Sequence, residues 1–222
     1  MKKRGARHDA YQGIARVYNA LGHFYSGGQI EACKAAFLDE VNPGDRVLFV
    51  GAGSGDDVIT AVRLGARVTA IDMSGAMLER LRTRLAAANA VASEIVCADV
   101  RAIDRTGRYD WVIANFFLNV FPARELHEMT AHLASFLAQD GRLIVGDFAA
   151  PVARWGERSV QQLHYYVPLV VFWLTTGTSL HRLHDYRAPL AAAGLTVYRT
   201  RHFQAFGWGP RWYSAVLAKR SA

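Results

Sequence analysis

The sequence predicts an α/β domain built on a mostly parallel sheet with helices on both faces. Three observations predict it. Short apolar runs alternate with helical periods five times between Val47 and Val145. The runs are continuously apolar, as strands buried on both faces require. Two further strands, Leu195–Phe203 and Trp212–Ala218, are joined by a stretch containing Gly207-Trp208-Gly209-Pro210. That stretch is too short for a crossover helix, so these two run antiparallel to each other.

The elements follow in order. Tyr11, Ile14, Ala15, Tyr18 and Leu21 recur at helical spacing, and Ser26-Gly27-Gly28 breaks that helix. A second helix carries Ile30, Cys33, Ala36 and Phe37 on one face, before a turn at Asn42-Pro43-Gly44-Asp45. Val47–Val50 is the first strand, Asp57–Leu64 a helix stopped by Gly65, and Arg67–Ile71 the second strand. Ser74 caps a helix carrying Met77, Leu78, Leu81 and Leu85. Glu94–Ala98 and Trp111–Ala114 are the third and fourth strands. Pro122 suits the first turn of a helix carrying Leu126, Met129, Leu133, Phe136 and Leu137, which Gly141 ends before a fifth strand at Leu143–Val145. Pro151–His184 breaks the rhythm, being long, aromatic and apolar without strand alternation. Asp185 starts a short helix that Gly194 ends.

Composition bounds the class. The 222 residues are 51% hydrophobic and 20% charged, enough apolar material for a sizeable core and too much for a disordered chain. The longest apolar run, Tyr165–Leu174, falls well short of the roughly 20 residues of a membrane span. Met1-Lys2-Lys3-Arg4 is basic, but no apolar stretch follows it, which argues against a secretory signal. Cys33 and Cys97 are too few for a disulfide framework or a zinc cluster, so a reduced, cytoplasmic setting is expected. The net charge of +7 is spread along the chain, apart from a basic arm at Met1–Arg7. Charge of this kind aids solubility and points only weakly to nucleic acid.

The segment that carries chemistry is Val47-Leu48-Phe49-Val50-Gly51-Ala52-Gly53-Ser54-Gly55-Asp56. A buried strand runs into three glycines and then a helix. Glycine permits positive φ and lets a ligand approach the backbone, and the helix start offers N–H groups without intrahelical partners. The pattern predicts a nucleotide-like ligand at the carboxyl end of the first strand. Asp72 ends the next strand, 21 residues after Gly51, where a carboxylate accepts from ribose hydroxyls; the plainer reading is the start of a turn before the Ser74 helix. In the dinucleotide fingerprint G-x-G-x-x-G, the third glycine would fall on Asp56. A carboxylate at the helix start opposes a pyrophosphate and suits a cationic or zwitterionic ligand, which turns the expectation from NAD to S-adenosylmethionine.

On these residues the sequence resembles the class I S-adenosylmethionine-dependent methyltransferases, and most of all the small-molecule branch that includes the quinone-biosynthesis C-methyltransferases. The resemblance covers about Tyr11–Ala150 and, more loosely, Asp185–Lys219. It rests on Gly51, Gly53 and Gly55, on Ala70-Ile71-Asp72-Met73-Ser74-Gly75-Ala76-Met77-Leu78, on Cys97-Ala98-Asp99-Val100, on Tyr109–Leu118 and on Asp140–Val145. It implies a Rossmann-like, doubly wound, seven-stranded sheet with an antiparallel C-terminal strand and a helical insertion after strand 5. It further implies a single domain over residues 1–222: N-terminal helices capping the cleft (1–44), a cofactor-binding core (45–150), an aromatic insertion or lid (151–184), and a C-terminal helix and strand pair (185–222).

Carried over residue by residue, the resemblance makes Asp72 the ribose acid and lets Met73 pack on the adenine. Asp99, followed by Val100, accepts from the adenine amino group or caps the next turn. Asn115 and Phe116 lie near the methionine part, although ordinary packing also explains Phe116. Tyr18 caps the cofactor or belongs to the core. Two departures stand out. Phe49 occupies the position where the family usually has an acid for the ligand's amine, and Asp56 or Asp57 is the candidate replacement. Asn19 stands where the branch has the acid of an N-terminal Tyr-Asp pair.

The insertion contains Trp155, His164, Tyr165, Tyr166, Pro168, Phe172 and Trp173. It reads as a lid over an aromatic or lipid-like acceptor, as an oligomer contact, as a peripheral membrane contact, or as extra core. Asn119, Tyr165, Tyr166 and Trp173 are the expected acceptor contacts. His164, His181, His184 and Asp185 are candidates for managing the proton, because histidine titrates near neutrality. The expected reaction is in-line methyl transfer to a small acceptor. Two alternatives stand beside it. One is an RNA methyltransferase, for which Asn115-Phe116-Phe117-Leu118 supplies the Asn of an N-P-P-Y/F segment but neither proline. The other is a non-catalytic binding or scaffold protein, which Phe49 favours.

Overall fold

A computed structural model of the chain describes residues 27–53, 55–150, 155–176, 183–204 and 210–221, with the backbone alone described at 155 and 167–176. The expected helix around Tyr11–Leu21, Tyr18 and His181 lie outside the described residues.

Seven strands form one sheet: β1 (Arg46–Val50), β2 (Arg67–Asp72), β3 (Glu94–Cys97), β4 (Tyr109–Asn115), β5 (Leu137–Phe148), β6 (Leu195–Gln204) and β7 (Arg211–Arg220). Their order is β3-β2-β1-β4-β5-β7-β6. β1 to β5 are parallel to their neighbours, and β7 runs antiparallel between β5 and β6. The described helices are α1 (Gln29–Lys34), α2 (Asp56–Arg63), α3 (Gly75–Ala87), α4 (Ala123–Ser135), α5 (Trp155–Thr176) and α6 (Arg187–Ala192). No helix among the described residues is long and apolar enough to cross a membrane.

The unbroken apolar runs are explained by two cores. Alternate residues of one strand enter opposite layers. Val47 and Phe49 of β1, with Trp111 and Ile113 of β4, pack against Cys33, Phe37, Val58 and Leu81 on the side of α1, α2 and α3. Leu48 and Val50, with Val112 and Ala114, pack against Leu126, Met129, Leu133 and Leu190 on the side of α4 and α6. The order of strands reverses between β1 and β4, both of which deliver their carboxyl ends to the same side. Such a switch point opens a crevice where ligands bind.

One boundary differs from the sequence reading. The helix after Pro122 ends at Ser135, and Leu137 already belongs to β5, opposite Tyr109. The pairing then jumps from Tyr109↔Leu137 to Trp111↔Arg142. Gly141 therefore does not stop a helix. It sits where the strand bulges, and a β-carbon there would lie 2.8 Å from the Tyr109 carbonyl oxygen and 3.0 Å from Ala138 nitrogen. Phe136 and Leu137 continue the helical spacing of Leu133 only because the buried start of the strand happens to fall on the same period.

Candidate cofactor and acceptor site

The glycine loop leaves β1 with three left-handed residues: Gly51 at φ 68°, Gly53 at 52° and Gly55 at 74°. The N–H groups of Gly51 and Ala52 donate to the Ile71 carbonyl at 2.8 and 3.1 Å, folding the loop back over β2. Two of the three glycines are tightly packed. A β-carbon at Gly51 would meet Phe117 Cδ2 at 2.7 Å, and one at Gly55 would collide with Leu81. Gly53 differs, since a β-carbon there finds, among the described residues, only the Gly51 carbonyl oxygen, 3.8 Å away. That open face is a cradle a ligand can enter.

Asp72, at the end of β2, fastens the cradle. Its Oδ2 accepts from Gly53 N–H at 2.9 Å and its Oδ1 from Ser74 N–H at 2.8 Å. Each carboxylate oxygen keeps a lone pair, so the half-buried group can still accept from a vicinal diol. Ser74 in turn caps α3 by accepting from Met77 N–H at 3.3 Å. Met73, 71% exposed, presents an apolar side chain beside Asp72, as a flat heterocycle would need. Asp99 accepts from Arg101 N–H at 2.9 Å and caps the short turn Val100–Ala102, while Val100 itself is buried in the core. The capping reading of Asp99 thus describes a bond that is present.

The two acids that open α2 have different fates. Asp56 is an ion-pair partner of Arg84, with Nη1 to Oδ2 at 2.9 Å, and that bond chiefly holds its carboxyl below the usual range. Its charge is thereby committed. Asp57 is only 5% exposed, and its Oδ2 accepts from Asn115 Nδ2 at 2.8 Å. The same nitrogen donates to the Lys34 carbonyl at 3.1 Å, whereas Asn115 Oδ1 is buried without a hydrogen-bond partner among the described residues. Phe49, 1% exposed, lies in the core among Cys33, Phe37, Ile113 and Tyr213. The position the family gives to an acid is therefore apolar here.

Phe116 leaves β4 at φ 51°. A bulky residue held there costs on the order of 1–3 kcal/mol and persists only where its surroundings fix it. Its N–H donates to the Gly146 carbonyl at 2.7 Å, and its ring meets Phe148 and Tyr213 edge-on at 5.9 and 5.6 Å. The turn it makes brings Phe117 against Gly51.

Beside these groups lies a cluster the sequence reading missed. Asp147, fully buried near the end of β5, accepts from Tyr186 hydroxyl at 2.8 Å, Asn119 N–H at 3.1 Å and Phe148 N–H at 2.8 Å. Burial pushes its carboxyl up to about 7, and these three bonds hold it back from going further. Its charge and their own burial raise the Cys33 thiol and the phenols of Tyr165 and Tyr186. The available signal was a lone acid directly after the apolar run Leu143–Gly146.

The remaining candidates are dispersed. His164 is 7% exposed, stacks on Trp212 at 4.0 Å between ring centroids and shares a 2.9 Å hydrogen bond with the Tyr213 hydroxyl. Burial pulls its imidazole down to about 4, so it is neutral at physiological pH. Tyr165 is buried against Phe148, and Tyr166 is at the exposed rim. Trp173 belongs to α5, described there by its backbone. Asn119 is half-buried, its backbone fixed by Asp147. His184 Nε2 bonds the Phe121 carbonyl at 2.9 Å, and Asp185 accepts from Arg187 N–H at 3.1 Å as the chain enters α6. These bonds hold His184 and Asp185 at the entry to α6.

Residues 47–141 match the family model described as a methyltransferase domain. The chain is 30% identical over 155 residues to a demethylmenaquinone methyltransferase of Clavibacter sepedonicus, covering 68% of this chain and 61% of that one. Among solved structures it is similar to the magnesium protoporphyrin IX methyltransferase of Synechocystis with bound S-adenosylhomocysteine, at 26% identity and a TM-score of 0.63 over 86% of this chain and 82% of that one. It shares its fold with the 1,6-didemethyltoxoflavin-N1-methyltransferase of Burkholderia thailandensis, at a TM-score of 0.71 and 18% identity over 98% of this chain and 88% of that one. The chain spans about half the length of the curated relatives it matches. The family match, the glycine loop closed by Asp72, the strand order and the relatives together identify residues 47–141 as a methyltransferase domain, similar to those of the class I S-adenosylmethionine-dependent enzymes.

Proposed function

We propose that this protein methylates a small acceptor, aromatic or lipid-like, at the carboxyl end of the sheet. When bound, S-adenosylmethionine supplies an electrophilic methyl group on a sulfonium sulfur. The chain's own task is to align the acceptor, exclude water and hold the reacting groups still. The observation that carries the reading is the half-buried Asp72 carboxylate, which ties Gly53 and Ser74 together and keeps acceptor capacity on both oxygens. The open face of Gly53 and the exposed Met73 complete a surface that fits an adenosine.

The acceptor side is supported by its aromatic lining. Phe116, Phe148, Tyr165 and Tyr213 meet in edge and tilted contacts near the ends of β4 and β5, where half-buried Phe116 and Phe148, backed by the buried tyrosines, suit a planar apolar ligand. Asp147 acts as a positioning residue in this arrangement, since it fixes the backbone of Asn119 and the hydroxyl of Tyr186 at once. His164, neutral and already bonded to Tyr213, orders the wall and is a weak proton acceptor.

Calorimetric titration with S-adenosylhomocysteine tests the cofactor half. Micromolar binding by the native protein and at least a tenfold loss in Asp72→Ala are the expected results. Incubation with methyl-labelled S-adenosylmethionine and a panel of phenols and quinols tests the acceptor half. Label appearing in RNA and in none of the phenols or quinols would overturn the acceptor class.

A further inference from the structure

The cofactor half of the proposed function leaves one group of the ligand without a seat: the α-ammonium of its amino-acid end. Phe49 supplies no charge, and Asp56 is spent on Arg84. A buried polar constellation lies one residue further on. Asp57 Oδ2 and the Lys34 carbonyl oxygen both accept from Asn115 Nδ2, at 2.8 and 3.1 Å. Both protons of that amide nitrogen are thereby used, which fixes the amide plane and its orientation. Turned over, the amide would set its oxygen against the Asp57 carboxylate. Held as it is, the buried Asn115 Oδ1 has no donor among the described residues and lies against Gly146, where β4 and β5 end side by side.

Two features of this arrangement ask for a cation. A carboxylate nineteen parts in twenty buried, bonded among the described residues to the Val58 N–H and an amide, carries a desolvation cost. The N-terminus of α2 offsets some of it, because an acid in a first helical turn is favoured. It does nothing for the orphaned oxygen on Asn115. A buried acceptor without a donor is costly and rare in a native fold, and a ligand ammonium answers both deficits together. The Arg84 guanidinium, whose charge reaches Asp57, is bonded to Asp56.

We propose that Asn115 Oδ1 accepts from the α-ammonium of the bound ligand and that Asp57, behind the same amide, provides the countercharge and fixes the amide's orientation. Asp57 is a positioning residue in this scheme. The acid that recognises the amine has been moved from the strand at position 49 to the first turn of the following helix. The inference rests on the cofactor reading above and adds the seat of the ligand's amine.

Three ligands separate the two readings: S-adenosylhomocysteine, its analogue with hydrogen in place of the α-amino group, and 5′-methylthioadenosine, which lacks the amino-acid end. The native protein is expected to prefer the amine-bearing ligand over its deaminated analogue by tenfold or more. In Asp57→Asn that preference falls to threefold or less, while 5′-methylthioadenosine binding stays within twofold of native. Should Asp57→Asn fail to fold, Asn115→Ser removes the acceptor oxygen's amide and leaves the acid in place; the same loss of preference is expected. A tenfold preference retained in the folded variant overturns the inference. So does a native protein that binds 5′-methylthioadenosine but ignores the amine, a result that leaves the cofactor reading standing. A native protein that binds none of the three overturns both.

Discussion

Gly55→Ala should destabilise the fold by about 2–5 kcal/mol, whereas Gly53→Ala should cost only about 1–2 kcal/mol of stability but lose the ligand. The two glycines lie in one loop with similar backbone angles, φ 74° and 52°. An L-residue in the left-handed region costs roughly 1–2 kcal/mol at either position. The difference lies in what the new methyl meets. At Gly55 it collides with Leu81, which is fully buried in the core, and touches Val58 as well. Overpacking of this kind adds about 1–3 kcal/mol. At Gly53 the methyl has, among the described residues, only a carbonyl oxygen at 3.8 Å and otherwise fills the space a ligand would take. Urea unfolding of both variants, with an unchanged denaturant slope, measures the first effect, and titration with S-adenosylhomocysteine measures the second. Equal loss of stability in the two would show that the open face of Gly53 is not a ligand surface.

The second large effect is a hidden one. The pH dependence contributed by two buried groups should largely cancel between about pH 4 and pH 7, because they titrate against each other. Asp147 has a folded pKa raised to about 7, so the folded state binds more protons than the unfolded state over this window. Its contribution is largest in acid and is lost as pH rises through 7. His164 has a folded pKa lowered to about 4 from 6.5, so here the unfolded state binds more protons. Its contribution grows as pH rises from about 4 to 6.5. Each shift corresponds to roughly 3–4 kcal/mol, with opposite sign. Asp147→Asn should therefore make stability climb with pH across the window, and His164→Gln should make it fall. Thermal or urea unfolding of the two variants at several pH values between 4 and 8 reads this directly. Two variants with parallel profiles would remove Asp147 and His164 as the opposing pair.

These residues also show where the sequence was legible. The glycine loop and its tie to Asp72 were legible because they depend on local geometry: one loop, one strand end, a fixed separation of about 20 residues. The alternation of strand and helix was found for the same reason, since two cores impose continuous apolar runs on β1 and β4. Pairs that meet only through the fold were not legible. Asp147 and Tyr186 are 39 residues apart and Asp57 and Asn115 are 58 apart, with no pattern linking either pair along the chain. The packing of the histidines was equally hidden: His164 is buried in a stack with Trp212, and His184 is bonded to the Phe121 carbonyl. Gly141 was read as a helix stop because a tight bulge and a helix end call for the same residue.

The position of β7 has a consequence for how the protein is made. The strand lies inside the sheet, yet it comes late in the chain: Phe148 of β5 pairs with Tyr213 of β7, 65 residues downstream. While the chain is being synthesised, β5 emerges with its outer edge bare, and Leu143, Ile144 and Val145 lie along it. At ribosomal elongation of roughly 5–20 residues per second, that edge waits about 3–13 seconds for its partner. An apolar, unpaired strand edge is a template for association with other chains. Nascent-chain protection should therefore matter most in the interval between release of β5 and release of β7. Stalled chains ending within that interval should aggregate or recruit a chaperone more strongly than chains ending before β5.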